Sequence, residues 1–432
     1  MRIAYITAGA AGMFCGSCMR DNTLVAALHA AGHEALLIPT YTPIRTDEED
    51  VSQRRVFFGG INVYLQQKFA LFRHTPWALD RLLDVPRLLR WVSRFAVKTQ
   101  ASELGDLTVS MLEGEHGRQR KEVAKLVRWL ADEVRPDVVN LTNALLSGMV
   151  HELRLRLPRV PVLASLQGDD IYLESLPEPQ RSRCLGLIRD HCREIDGFIS
   201  TSASYADFMA GYLGIPRERI AVVYPGLNLH GHGGSRDIVA RPFTVGYFAR
   251  ICPEKGFHQA VDAFLALRRL PGTDGVRLHA SGWLGENNRT FFEAQRHRLA
   301  EAGLLGDFTH VECPDHASKV RFLQSIDVLT VPTVYREPKG LYVLEALANG
   351  VPVVQPRHGA FPELVEATGG GLLVEPGDAA GLAAALHALY RDPARRELHG
   401  RAGQAAVRDR FHAGRMAADT AAVYQRHLDS RH

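Results

Sequence analysis

No stretch of the chain comes near the run of about 20 apolar residues that a membrane-crossing helix needs, so a helical membrane-spanning protein is excluded. Cysteine is scarce. The six present (Cys15, Cys18, Cys184, Cys192, Cys252 and Cys313) are too few in 432 residues for the disulfide framework of a secreted scaffold, and reduced thiols in a cytoplasm are expected. An excess of one charge is also missing: 51 basic against 48 acidic residues leave a formal charge of +3, without the basic surplus that nucleic-acid binding calls for. Residues 1–13 are apolar enough to imitate a secretory leader. Only Arg2 precedes the run, however, and it passes into a glycine-rich turn, so it reads as a first strand. Finally, the second strand, Ala35 to Ile38, ends in Pro39-Thr40 without the acidic residue of a dinucleotide-binding fingerprint, which disfavours a dehydrogenase.

What is there is an ordinary globular composition, 46% hydrophobic and 23% charged, in a chain long enough for two domains of about 200 residues. The first strand, the glycines Gly9, Gly12 and Gly16, and a helix from about Ser17 to Ala31 follow a nucleotide-binding grammar. The organising stretch lies far downstream, from Pro332 to Val354. An apolar strand over 326–331 leads into a turn at Pro338 and Gly340, then a helix over Leu341 to Ala348 that Asn349-Gly350 stops. A helix N-terminus at Gly340 offers unpaired amides and the positive end of a dipole, which suits a phosphate. Glu337 lies just before that start and Glu345 inside the helix. A carboxylate such as Glu345 can accept from both hydroxyls of a ribose diol, while the other acid meets a sugar.

The string Glu337, Gly340, Glu345, Ala346, Ala348, Gly350, Pro352, Val353 resembles the donor-binding signature of the retaining, nucleotide-sugar-dependent glycosyltransferases of the GT-B fold, group 1 or family 4; Lys339 stands where that family usually has phenylalanine. The resemblance implies an α/β chain of two facing Rossmann-like domains with parallel sheets and an interdomain active-site cleft. It implies an N-terminal acceptor-side domain over 1–228, a linker over 229–241, a donor domain over 242–410, and a last segment, 411–432, crossing back to the first domain. Arg250 and Lys255 match the family element that clamps the donor pyrophosphate, and their fork and point-charge chemistry fits phosphate oxygens. The implied catalytic set is Glu337, Arg250, Lys255 and Asp169. The donor is expected on Gly12, Gly16, Gln167, Arg250, Lys255, Gly340, Leu341 and Glu345. No metal and no cofactor are expected beyond a nucleoside-diphosphate sugar as substrate. The acceptor is a glycan, a lipid or a small molecule. Other chemistries of the same fold, epimerisation or phosphorolysis, and a non-catalytic nucleotide-sugar-binding module are the alternatives.

Several local features carry two readings. Gln167 stands near where the family usually has histidine, so it can hydrogen-bond a hydroxyl but cannot titrate. Asp169 and Asp170 either bind hydroxyls or cap the next helix. Residues 73–98 alternate Trp77, Trp91 and Phe95 with six cations, fitting either a basic helix on anionic lipid at the inner membrane face or core aromatics with a solvated basic side. Cys15-Gly16-Ser17-Cys18 at a helix start invites a dithiol of lowered pKa, but the thioredoxin context is missing and small residues packing a tight loop are the preferred reading. His310, Cys313 and His316 have a ligand-like spacing, as do His230 and His232, but strand alternation and Pro314 argue against convergence on a metal.

Overall fold

The structure is a computed structural model that describes residues 1–9, 15–53, 57, 101–234 and 241–431. Gly12 and the basic segment 73–98 lie outside the described residues. The chain divides into two compact units, Met1–Tyr224 with Gly414–His432, and Pro225–Ala413. Among the described residues no helix is long and apolar enough to cross a membrane.

The first unit is built on six parallel strands: β1 (Arg2–Thr7), β2 (Glu34–Pro39), β3 (Val138–Leu141), β4 (Val162–Leu166), β5 (Gly197–Ser200) and β6 (Ile220–Val222), in the order β2-β1-β3-β4-β5-β6. Every residue of β3, β4 and β5 is buried, as expected of parallel strands covered by helices on both faces. The last helix, Ala413–Asp429, belongs to this unit: Met416, Ala417, Val423 and Tyr424 pack with Ile3, Tyr5, Leu24 and Val138 in one apolar cluster.

The second unit repeats the plan with β7 (Thr244–Phe248), β8 (Arg277–Ser281), β9 (Phe308–Val311), β10 (Val328–Leu329), β11 (Val353–Pro356) and β12 (Gly371–Val374), in the order β12-β11-β10-β7-β8-β9. The winding direction reverses between β7 and β10. In an open α/β sheet the crevice outside the carboxyl ends of the strands at such a reversal is where a ligand binds. β10 is shorter than the apolar run over 326–331 predicts. The Val331 amide is taken by the side chain of Gln355 at 3.2 Å instead of by a neighbouring strand, so pairing stops early. Of the predicted linker, residues 229–234 and 241 are described and pack on this unit, with the Gly233 amide 3.1 Å from the Asn349 side chain and Arg241 3.0 Å from Asp327.

A buried polar knot ties the first sheet together. The Asp21 carboxylate accepts from the Tyr5 hydroxyl at 2.8 Å, from Gln167 Nε2 at 3.1 Å and from the Thr142 hydroxyl, and lies 3.4 Å from the Arg20 guanidinium. Burial pushes the Asp21 carboxyl up, against the pull of Arg20 and these donors. The Tyr424 hydroxyl is also buried and has no hydrogen-bond partner among the described residues. Tyr424→Phe is therefore expected to change unfolding free energy by less than about 1 kcal/mol. Asp21→Ala, which strands the buried Arg20 charge, should cost about 3–5 kcal/mol. Urea titration of the two variants checks both, and equal losses would show that the knot does not hold the sheet.

Candidate functional site

The loops that follow the carboxyl ends of β7 and β10 carry Arg250, Lys255 and Glu337. After β7 the chain turns through Arg250 and Lys255, and the Tyr247 hydroxyl donates to both of their carbonyls, at 3.0 and 3.3 Å. Gly256 then caps the Phe257–Leu267 helix with φ 72°, and a Cβ there would lie 1.7 Å from the Pro332 carbonyl oxygen. Only glycine lets the Lys255 turn sit against the loop that follows β10. The Val334 amide donates to the Glu254 carbonyl at 2.9 Å and fastens the two loops from the other side. A third loop joins after β11, where the Ala360 amide reaches the Glu337 carbonyl at 2.7 Å.

Between these loops the Leu341–Ala348 helix begins, capped by Gly340 with φ 64°. Its start is already occupied by a carboxylate. Oε1 of Glu337 accepts from the amides of Lys339 at 3.3 Å and Gly340 at 3.2 Å, while Oε2 accepts from Lys255 Nζ at 2.7 Å, Tyr342 at 3.0 Å and Tyr335 at 3.1 Å. Five donors crowd an acid with about four lone-pair sites. Burial alone would raise the Glu337 pKa, but the Lys255 charge and hydrogen bond, the Lys339 charge and the Gly340 amide outweigh it and hold the carboxyl at about 2. Burial, with the Glu337 charge beside it, pushes both tyrosines well above their ordinary range, so they remain hydroxyl donors. The Lys255 ammonium also lies 5.0 Å from the centres of both tyrosine rings. A cation over aromatic faces gains further stabilisation.

Eight residues on, Glu345 lies on the buried side of the same helix, so it is not a solvated surface acid. Its Oε1 is 2.7 Å from Lys319 Nζ, both side chains being under a tenth exposed. Arg250, in contrast, is exposed. Leu341 is the first residue of the helix and is half-buried.

In the first unit, Gly16 opens the Gly16–Ala30 helix. Gln167 turns inward: its amide nitrogen donates to Asp21 and, at 2.9 Å, to the Thr142 carbonyl. Asp169 accepts from the Ala144 amide at 2.6 Å and the Gln167 amide at 3.0 Å, which makes it a brace between two strand-end loops, and burial pushes its carboxyl up to about 6. The start of the following helix is served by the Tyr205 hydroxyl, which accepts from the Gly168 and Asp169 amides and donates to Asp170. Of the two readings of Cys15-Gly16-Ser17-Cys18, the dithiol of lowered pKa finds no support at Cys18. Its hydrogen bond with Cys15, and then burial, push that thiol far up. His310, Cys313 and His316 do not converge either, for His310 points to the Gly282 carbonyl, Cys313 to Ser281, and His316 to the His230 carbonyl. Among the described residues no three His, Cys, Asp or Glu side chains are grouped to hold a metal.

Three partners of the two glutamates escape sequence reasoning. Tyr335 and Tyr342 lie within the organising stretch but read as a loop aromatic and a helix aromatic. Lys319 reads as an ordinary helix cation, and only its place among Val320, Phe322 and Leu323 on the buried face signals otherwise.

Residues 22–226 match the family described as "Glycosyl transferase 4-like domain", and residues 242–392 match "Glycosyl transferases group 1". The glycogen synthase of Mycobacterium tuberculosis (strain CDC 1551 / Oshkosh) is 32% identical over 234 residues, 54% of each chain, so the match spans about half the length of that relative. A D-inositol 3-phosphate glycosyltransferase of Nocardia farcinica is 26% identical over 359 residues, 77% of each chain. Among solved structures, sucrose-phosphate synthase from Thermosynechococcus elongatus shares the fold over 99% of each chain, with TM-score 0.72 and 18% identity. Anabaena HepE in complex with UDP does so over 99% of this chain and 100% of its own, with TM-score 0.69 and 17% identity.

The Glu337 pKa has a definite sign for stability. A carboxyl lowered from 4.5 to about 2 contributes fully above pH 4.5, roughly 3 kcal/mol, and loses that contribution as pH falls towards 2. Between pH 6 and pH 3 the wild type should therefore lose about 2 kcal/mol more than Glu337→Gln in urea titrations. Parallel losses would show that Glu337 carries no such linkage.

Proposed function

Because the chain has the GT-B fold and belongs to the group 1 glycosyltransferases, we propose that it moves a sugar from a nucleoside-diphosphate sugar to an acceptor, with retention of anomeric configuration and without a metal in the phosphate site. The observation that carries this reading is the helix start at Gly340, with Lys255 and Arg250 gathered at the sheet reversal between β7 and β10. Helix amides and two cations supply the neutralisation that a departing diphosphate needs. Anabaena HepE, which has the same fold, was solved with UDP-glucose, and this supports a nucleotide sugar as the donor here.

The roles follow from the two ion pairs. The diphosphate draws Lys255 towards itself and frees Oε2 of Glu337 to accept a hydroxyl of the transferred sugar. Glu345 meets the ribose, Leu341 packs beside it, and Arg250 reaches the phosphates from the exposed side. Gln167 and Asp169 fix the ends of β3 and β4, with the Gln167 side-chain nitrogen and the Asp169 carboxylate engaged inside the first unit. The Gly12 and Gly16 loop goes to donor or acceptor on the family resemblance. The acceptor is a glycan, a lipid or a small molecule. Six free cysteines suit a reducing compartment, so the cytoplasm is kept for this reading.

A thermal-shift screen of UDP-, GDP- and ADP-sugars in EDTA tests the proposal. The cognate donor at 100 times its dissociation constant should add about 2.7 kcal/mol of stability. Glu345→Ala should weaken the free nucleoside diphosphate by about 1.5–3 kcal/mol. Binding that needs added Mg²⁺ or Mn²⁺ would overturn the metal-free phosphate site. Free sugar products without an acceptor would favour an epimerase or phosphorylase, and binding with neither transfer nor hydrolysis a binding module.

A further inference from the structure

Glu345 does not stand alone at the nucleoside position, and its partner is fixed before any ligand arrives. The His316–Gln324 helix starts from a capping box, with Asp315 accepting from the Ser318 amide at 2.7 Å and the Ser318 hydroxyl placed 3.2 Å from the Asp315 amide. That start sets the rotation of the helix and puts Lys319 on its buried face, 5% exposed. Lysine is almost never so buried unless paired. Its ammonium holds Oε1 of Glu345 at 2.7 Å. Among the described residues no donor reaches Oε2 of Glu345. Behind the carboxylate the Asn349 side chain donates to the Glu345 carbonyl at 2.9 Å and closes the last turn of the helix.

We propose that Lys319 is a positioning residue for ribose recognition: it anchors one oxygen of Glu345 so that the other is presented to a ribose hydroxyl, which makes the site selective for ribonucleoside over 2′-deoxyribonucleoside diphosphates. The inference rests on the assignment of Glu345 to the ribose. A carboxylate held at one oxygen cannot swing, so the hydroxyl it accepts from must come to a fixed point. Loss of that hydroxyl leaves a buried charged acceptor unpaired, and this is costly. The neutral pair also keeps an uncompensated negative charge away from a diphosphate ligand.

The test is calorimetric titration of matched ribo- and 2′-deoxyribonucleoside diphosphates into wild type, Lys319→Met, Lys319→Arg and Glu345→Ala. The wild type should prefer the ribonucleotide by about tenfold or more. Lys319→Met should bring the ratio to within about twofold, and Lys319→Arg should restore part of it. A purely structural lysine would lower the melting temperature and leave the ratio unchanged, which would overturn the proposal. Should Lys319→Met fail to fold, the double variant Lys319→Met/Glu345→Gln removes both charges together, and a preference kept there at the wild-type level would equally overturn it. If Glu345→Ala itself leaves the ratio intact, the ribose assignment is what fails. If Glu345→Ala abolishes the ratio and Lys319→Met does not, only the role of Lys319 fails.

Discussion

A carboxylate buried under the start of a helix is the constraint on which the second unit depends. Glu337 cannot stay ionised there without donors, and the donors come from three directions: Lys255 from the loop after β7, Tyr335 from its own loop, and the Gly340 amide with the Tyr342 hydroxyl from the helix. Satisfying one charge thus fixes the relative position of the loops after β7 and β10, which is where the sheet order reverses. The result is a preorganised group of cation, acid and helix amides. Breaking such a buried pair by removing one partner is far more costly than replacing both.

The second pair, Lys319 with Glu345, repeats the device one helix further back. The two glutamates therefore differ in what each keeps free. Glu337 accepts from five donors, whereas among the described residues no donor reaches Oε2 of Glu345. On the proposed function, this difference gives them separate tasks on a nucleotide sugar without appeal to their chemical type, which is the same.

The local parts of this arrangement were legible in the residues alone. Pro338 and Gly340 before apolar helix formers, with Asn349-Gly350 after them, define a helix start and stop within a short window, and the Leu341–Ala348 helix lies where those signals put it. The long-range pairs were not. Lys319 reaches Glu345 across 26 residues, and Gln167 turns towards Asp21 across 146, so the direction of each side chain is set by packing that no local pattern encodes. β10 fell short for the same reason, since a side chain from β11 took the amide that would have extended it. At Cys18 the hydrogen bond with Cys15, and then burial, push the thiol up, which leaves the packing of small residues as the reading of Cys15-Gly16-Ser17-Cys18.

The most direct measurement is release of nucleoside diphosphate from the cognate sugar nucleotide at saturating donor, in EDTA, by wild type and by folded Glu337→Ala, with the affinity of each for free nucleoside diphosphate determined on the same preparations. If Glu337 serves the transferred sugar, turnover falls by about 10²-fold or more while nucleotide affinity stays near wild type. Collapse of nucleotide affinity with turnover preserved would contradict the assignment and exchange the tasks of the two glutamates.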